Sequence, residues 1–301
     1  MFQESTADGA VCRSTHIRPA AHQTSVPEEQ ILHSANSGAI VERVGQIRDE
    51  FRIEGRKWAR ELAEYVSKDN VGVATVFIYD EVFGTKDRVH WFIHLKSIDD
   101  YERLLYRGVT DKQWRDEIIA KERIEDDKGG GTWNRMFVDG SRQDTVLLPQ
   151  SWDAPASRDD FAPVPAAAQL SQQSGHVLHS ANCALILHRT ALPRYSRAEQ
   201  ARSFCKTLAQ AWNMAFEGTV SALCYAEGYG AVERIHMLIH LPSLSAYNML
   251  FGPRRVRHAA VDSVLGQDWA DGAEEASWAD LFVDGSIADT ALTPQCWGAY
   301  A

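Results

Sequence analysis

The chain has little cysteine, and none of it is paired in spacing. Cys12, Cys183, Cys205, Cys224 and Cys296 are the five in 301 residues, with no CxxC among them. An odd count with no CxxC favours a reducing cytoplasm over a disulfide framework. Basic residues are also short: 31 Lys and Arg against 41 Asp and Glu give a net charge of −10. Without a basic stripe the chain is not expected to bind nucleic acid or an anionic membrane surface. No apolar run approaches the roughly 18–20 residues that span a bilayer. No basic-then-apolar leader opens the sequence, so the expected location is cytoplasmic. Nucleotide and nucleophile signatures are missing too: there is no GxGxxG after a strand, no Gly-Lys-Ser/Thr loop and no Gly-x-Ser-x-Gly elbow. Gly129-Gly130-Gly131 stands alone.

What the sequence does have is a second copy of itself. Arg88-Val89-His90-Trp91-Phe92-Ile93-His94-Leu95 returns as Arg234-Ile235-His236-Met237-Leu238-Ile239-His240-Leu241, an offset of 146. The same offset runs back without a gap to His33-Ser34-Ala35-Asn36 and His179-Ser180-Ala181-Asn182. Across residues 33–101 and 179–247, 21 of 69 positions are identical, where chance gives roughly one in sixteen. Farther on, Trp133…Phe137-Val138-Asp139-Gly140-Ser141…Pro149-Gln150…Trp152 returns as Trp278…Phe282-Val283-Asp284-Gly285-Ser286…Pro294-Gln295…Trp297, at an offset of 145. The expected organisation is a disordered tail over 1–30, a first repeat over 31–152, a linker over 153–176 and a second repeat over 177–301. Four cysteines fall in the second copy opposite Ser37, Ala59, Ile78 and Ser151, which makes them small packing residues.

Within the first copy, alternation predicts a strand over Asn36 to Arg43, and a helix over Asp49 to Ser67 carries Phe51, Trp58, Leu62, Tyr65 and Val66. Strands follow over Val71 to Glu81 and Arg88 to Leu95, turning at Gly84. A helix starts at Ser97, breaks near Gly108 and resumes through Trp114. Last come one or two strands through Met136 to Val138 and Thr145 to Leu148. The order is β-α-β-β-α-β, so the fold class is α+β: two tandem ferredoxin-like repeats.

The chain resembles the dimeric α/β-barrel superfamily, with two subunits fused. Arg88-Val89-His90-Trp91 running into Ser97-Ile98-Asp99-Asp100-Tyr101, with Trp114 beyond, is similar to NIPSNAP-like members. The Phe-Val-Asp-Gly-Ser ending is similar to that of an uncharacterised bacterial family. The resemblance implies an intrachain pseudo-dimeric barrel, either monomeric or homodimeric. It spans antibiotic-biosynthesis monooxygenases, polyketide cyclases, haem-degrading enzymes, chlorite dismutases and aldoxime dehydratases, so the fold leaves the chemistry open.

Strand parity assigns the faces. Val89, Trp91, Ile93 and Leu95 go under the helices, leaving His90, Phe92 and His94 facing the opposite sheet. The hairpin pairs Tyr79 with His90 and Tyr225 with His236 as cross-strand neighbours. The first strand adds Asn36 and Glu42, matched by Asn182 and His188, and the last adds Asp139 and Asp284. The candidate catalytic groups are His236, Tyr225, His188, His90 and Tyr79. Asn36, Asn182, Phe92, His94, His240, Asp139 and Asp284 are the candidate substrate contacts, inside the barrel. His90 and His94 stand about 13 Å apart at roughly 3.3 Å per residue, too far to share an ion. No metal site and no organic cofactor is predicted, while a haem or a divalent metal held from different strands stays open. The expected activity is oxygenation or cyclisation of an apolar, aromatic, polyketide-like metabolite in secondary metabolism, and the alternative is a non-catalytic binding module.

Overall fold

The computed structural model describes residues 16–150, 164–170, 177–231, 233–253, 255–269 and 276–296. Eight strands close one antiparallel barrel. The first copy supplies β1 (Ala39–Gln46), β2 (Ala74–Phe83), β3 (Arg88–Leu95) and β4 (Gln143–Pro149). The second supplies β5 (Leu185–Ala191), β6 (Ser221–Glu227), β7 (Ile235–Leu241) and β8 (Ala288–Pro294). Going round, the order is β1-β3-β2-β8-β5-β7-β6-β4. Each copy therefore contributes four adjacent strands, last-first-third-second, and two seams, β2 to β8 and β4 to β6, join them edge to edge. Closure removes the free edges that each four-stranded sheet would expose alone.

The helices cover the outside. Helices α1 (Arg52–Asp69) and α2 (Asp99–Thr110) belong to the first copy, and α3 (Ala198–Ala215), α4 (Leu244–Phe251) and α5 (Ala259–Gly266) to the second. The period of two in β3 sorts its side chains: Val89, Trp91, Ile93 and Leu95 pack with Phe51, Trp58 and Ala59 beneath the helices. Phe92 packs on the other face with Ile40, Phe77, Tyr79, Leu223 and Leu238 in the barrel interior. Both hairpins turn on a left-handed glycine, Gly84 at φ 124° and Gly230 at φ 135°. A Cβ at either would strike the carboxylate of Glu81 or Glu227, which accepts the Thr85 or Ala231 N–H and so closes the turn.

Several expectations are corrected. Residues 16–30 are not a tail: Ala20 is fully buried, and the amide of Gln23 bonds both the N–H and the C=O of Ile78. Residues 1–15 lie outside the described part. The linker likewise contains a packed piece, where Gln169 bonds the N–H and C=O of Cys224; 153–163 and 171–176 lie outside the described residues, as do Trp152 and Trp297. Helix α2 runs through Gly108 and ends at Thr110, and a π-helical turn covers Trp114–Ile119. Met136 sits in a 3₁₀ turn, so only Gln143–Pro149 forms the last strand.

Candidate functional site

The barrel interior holds two polar layers separated by apolar side chains. At one end, the segments before β1 and β5 fold inward as plugs. Ser34 N–H donates to Ser180 Oγ at 2.9 Å, and Ser180 N–H donates back to Ser34 Oγ at 3.0 Å. Ser34 Oγ lies 2.9 Å from His240 Nε2, and Ser180 Oγ lies 2.8 Å from His94 Nε2. The two rings turn their Nδ1 atoms to carbonyls, His240 to Ser221 at 2.9 Å and His94 to Thr75 at 3.3 Å. A carbonyl only accepts, so each Nδ1 carries the proton and each Nε2 accepts from a serine hydroxyl. Tyr79 and Tyr225 donate to the carbonyls of Ser180 and Ser34, both at 2.6 Å, and His33 stacks on His179 at 3.6 Å. Burial lowers His94 to about 3 and His240 to about 4. These neutral groups stitch the copies together about an approximate twofold.

The other layer breaks that symmetry. Glu42 Oε1 meets His90 Nδ1 at 2.8 Å and His188 Nδ1 at 3.3 Å, and Oε2 also lies 3.2 Å from His188 Nδ1. His188 Nε2 is 2.9 Å from His236 Nδ1, and His236 Nε2 is 3.2 Å from Glu227, which Arg234 holds at 3.1 Å. Burial and then His188 hold His236 down to about 4. Burial pushes the Glu42 carboxyl up, but His188 and His90 outweigh it and hold it below the usual carboxylate range. Burial opposes a charge on His90 also, yet Glu42 and Glu81 raise it above the ordinary value.

The sequence-predicted residues are therefore only partly brought together. His90, His188 and His236 join one network through Glu42, whereas the two tyrosines bond plug carbonyls and not their cross-strand histidines. Phe92, His94 and His240 are buried in the interior. Asn36 and Asn182 are exposed, and each caps its own turn by accepting the N–H of His33 or His179. Asp139 and Asp284 are also outside the barrel: their side chains are 94% and 92% exposed, and they pair with Arg48 and Arg194. The reason is that the last strand begins later than expected, which leaves both aspartates in surface turns.

Two cavities lie on the opposite side of the sheet, between the barrel wall and the helices. The first has about 240 Å³, with Trp58, Trp91, Trp114 and Trp133 among its walls, joined by Tyr65 and Tyr101. Trp58 stacks on Trp133 at 4.8 Å, and Arg142 lies over Trp133 at 4.5 Å. On the wall, Arg43 makes two 2.7 Å bonds to Asp144, and Tyr101 OH donates to Asp144 at 2.9 Å. The second cavity has about 490 Å³ and repeats the parts: Arg189 makes bonds of 2.7 and 2.8 Å to Asp289, and Tyr247 lines the space. Only parity in the strands drew attention to the interior. The signal for the outer triplet was present in the repeat itself, since Arg43, Tyr101 and Asp144 recur as Arg189, Tyr247 and Asp289.

Among the residues that line these two cavities His258 is the one histidine, and its Nδ1 accepts the Ala260 N–H at the start of α5. The inward-facing histidines of β3, β5 and β7 lie across the sheet from both cavities. Among the described residues, no group of three or more His, Cys, Asp or Glu is placed to hold a metal ion. No helix among them is long and apolar enough to cross a membrane.

The chain matches a family of unknown function, DUF6039, over residues 10–300. No curated protein matches it. Among solved structures it is similar to a "putative monooxygenase" from Fusobacterium nucleatum subsp. nucleatum, at 4% identity and a TM-score of 0.52, covering 86% of this chain and 93% of that one. An anthrone oxidase-like protein gives a TM-score of 0.48 at 9% identity, covering 88% and 94%. A chlorite dismutase variant from Candidatus Nitrospira defluvii gives 0.45 at 12% identity, covering 86% and 92%.

Proposed function

The chain belongs to the DUF6039 family, and from that premise we propose that it is an enzyme acting on an apolar, aromatic small molecule held between the barrel wall and the helices. The observation that carries this reading is the build of the outer cavities, where aromatic and aliphatic side chains surround one fixed Arg–Asp pair each, Arg43–Asp144 and Arg189–Asp289. Such a site grips a flat ring through area and orients it through few polar contacts. We read each copy as a ferredoxin-like unit, in keeping with its strand order.

The reaction class we propose is oxygenation or cyclisation of a polyketide-like metabolite without an organic cofactor. In the oxygenation, an activated ring methylene reacts with dioxygen to give a carbonyl and water, and the substrate supplies all four electrons. The protein's part is to stabilise the enolate by cation and hydroxyl contacts and to exclude bulk water. The fold shared with the Fusobacterium protein supports this class.

The test follows tryptophan fluorescence during titration with 1-naphthol and then oxygen uptake with hydroxylated anthracenones. Saturable quenching and oxygen uptake above the uncatalysed rate are expected. Unquenched fluorescence, or uptake no faster than buffer, overturns the reading.

A further inference from the structure

The two outer cavities share their parts but not their state, and the difference identifies a working half and its ligand class; this rests on the aromatic-ligand reading above. In the first half the tyrosine is committed. Tyr101 OH donates to Asp144 and accepts from Arg43 at 3.1 Å. Its counterpart Tyr247 lines the second cavity, and its hydroxyl makes no hydrogen bond among the described residues.

Helix length explains the rest. Helix α2 continues for twelve residues and carries the chain on to Asp111 and Trp114 at the first cavity. Helix α4 stops after eight, where Gly252 is extended at ψ 170°. Pro253 follows, and a proline disfavours the helical conformation in the residue before it. The chain turns away early, leaving about 490 Å³ against 240 Å³. That early exit also delivers Arg255 to the second cavity, with no ion pair or hydrogen bond on its guanidinium among the described residues. Arg189 is already committed: it pairs with Asp289 and lies over Trp212 at 5.9 Å and Phe251 at 5.5 Å.

We propose that the second cavity binds a planar aromatic anion. The ring lies among Phe204, Leu208 and Trp212, Arg255 takes the acidic group, and Tyr247 hydrogen-bonds a ring oxygen. The first cavity, smaller and with its tyrosine tied back, is the structural counterpart. A guanidinium is suited to this role because it meets a carboxylate with two parallel N–H donors.

The test compares 1-hydroxy-2-naphthoate with 1-naphthol, a pair that differs by one carboxylate, by calorimetric titration of the full chain. At least tenfold tighter binding of the acid is expected. Arg255→Gln should remove most of that preference while leaving naphthol affinity within about twofold, and Tyr247→Phe should weaken both ligands several-fold. Tyr101→Phe should leave both unchanged, and melting temperatures check that each variant is folded. Equal affinity for the two ligands, a preference that survives Arg255→Gln, or a loss confined to Tyr101→Phe overturns the proposal. Naphthol binding without acid preference sinks this inference and leaves the aromatic-ligand reading standing. No binding of either probe sinks both.

Discussion

Glu42 occupies the position that is His188 in the second copy, and the two side chains meet inside the barrel. A symmetric pair of carboxylates there would repel, and a symmetric pair of histidines would leave His90 without its 2.8 Å acceptor. Divergence at one position instead gives an ion pair that ties three strands. Glu42→Gln removes the charge while keeping the shape, leaving both rings a neutral amide oxygen in place of the carboxylate. Breaking a buried pair of this kind costs about 3–5 kcal/mol. Urea unfolding should show that loss with an unchanged m-value, and a variant within 1 kcal/mol of the parent would mean that Glu42 is not the ionised partner. Parity along the strands was enough to turn Glu42, His90, His188 and His236 inward. It said nothing about the partners of Tyr79 and Tyr225, because those come from plugs whose path no periodicity encodes.

At the scale of elements, the least legible parts were the segments before each first strand. Their composition is polar and aperiodic, which reads as tail and linker, yet each ends as a seal on a seam. Gln23 bonds Ile78 and Gln169 bonds Cys224, continuing β2 and β6 where Pro294 and Pro149 end their neighbours. Proline cannot donate to a ladder, so a side-chain amide replaces the next strand. The sequence carries the signal, since Pro19-Ala20-Ala21-His22-Gln23 returns at the same offset as Pro165-Ala166-Ala167-Ala168-Gln169. Gln23→Ala or Gln169→Ala leaves the buried N–H of Ile78 or Cys224 unsatisfied, while the carbonyls keep the Gln295 and Gln150 N–H donors, and should cost about 1–3 kcal/mol each. Deleting residues 1–30 should lower the melting temperature far more than deleting 1–15; equal effects would show that the seal contributes nothing. Strand β3, by contrast, runs over the predicted residues, because one face is wholly apolar and glycine fixes its turn.

At the scale of the whole molecule, duplication gives the barrel a joint rich in neutral histidine, and that sets its response to acid. Burial, followed where present by neighbouring histidines, lowers five of these rings: His33, His236 and His240 to about 4, His94 to about 3 and His179 to about 2. The unfolded chain binds protons at all five below about 6.5, whereas the folded protein does not until far lower pH. Stability from these groups is therefore complete above 6.5 and falls as pH drops towards 4. Each contributes a slope on the order of 1.4 kcal/mol per pH unit in that window. His90 has the opposite sign: its folded value is raised, so its contribution is full below 6.5 and is lost as pH rises through that folded value. One ring against five cannot offset the acid loss. Urea midpoints measured from pH 8 to pH 4 should fall steeply below 6.5, with a net uptake of several protons on unfolding. His240→Gln should then flatten the slope by about one proton, even though it also costs stability at pH 8 by disturbing the Ser34 bond. A slope unchanged in that variant would mean that His240 is not held neutral, and the joint would have to be rebuilt around a charged ring.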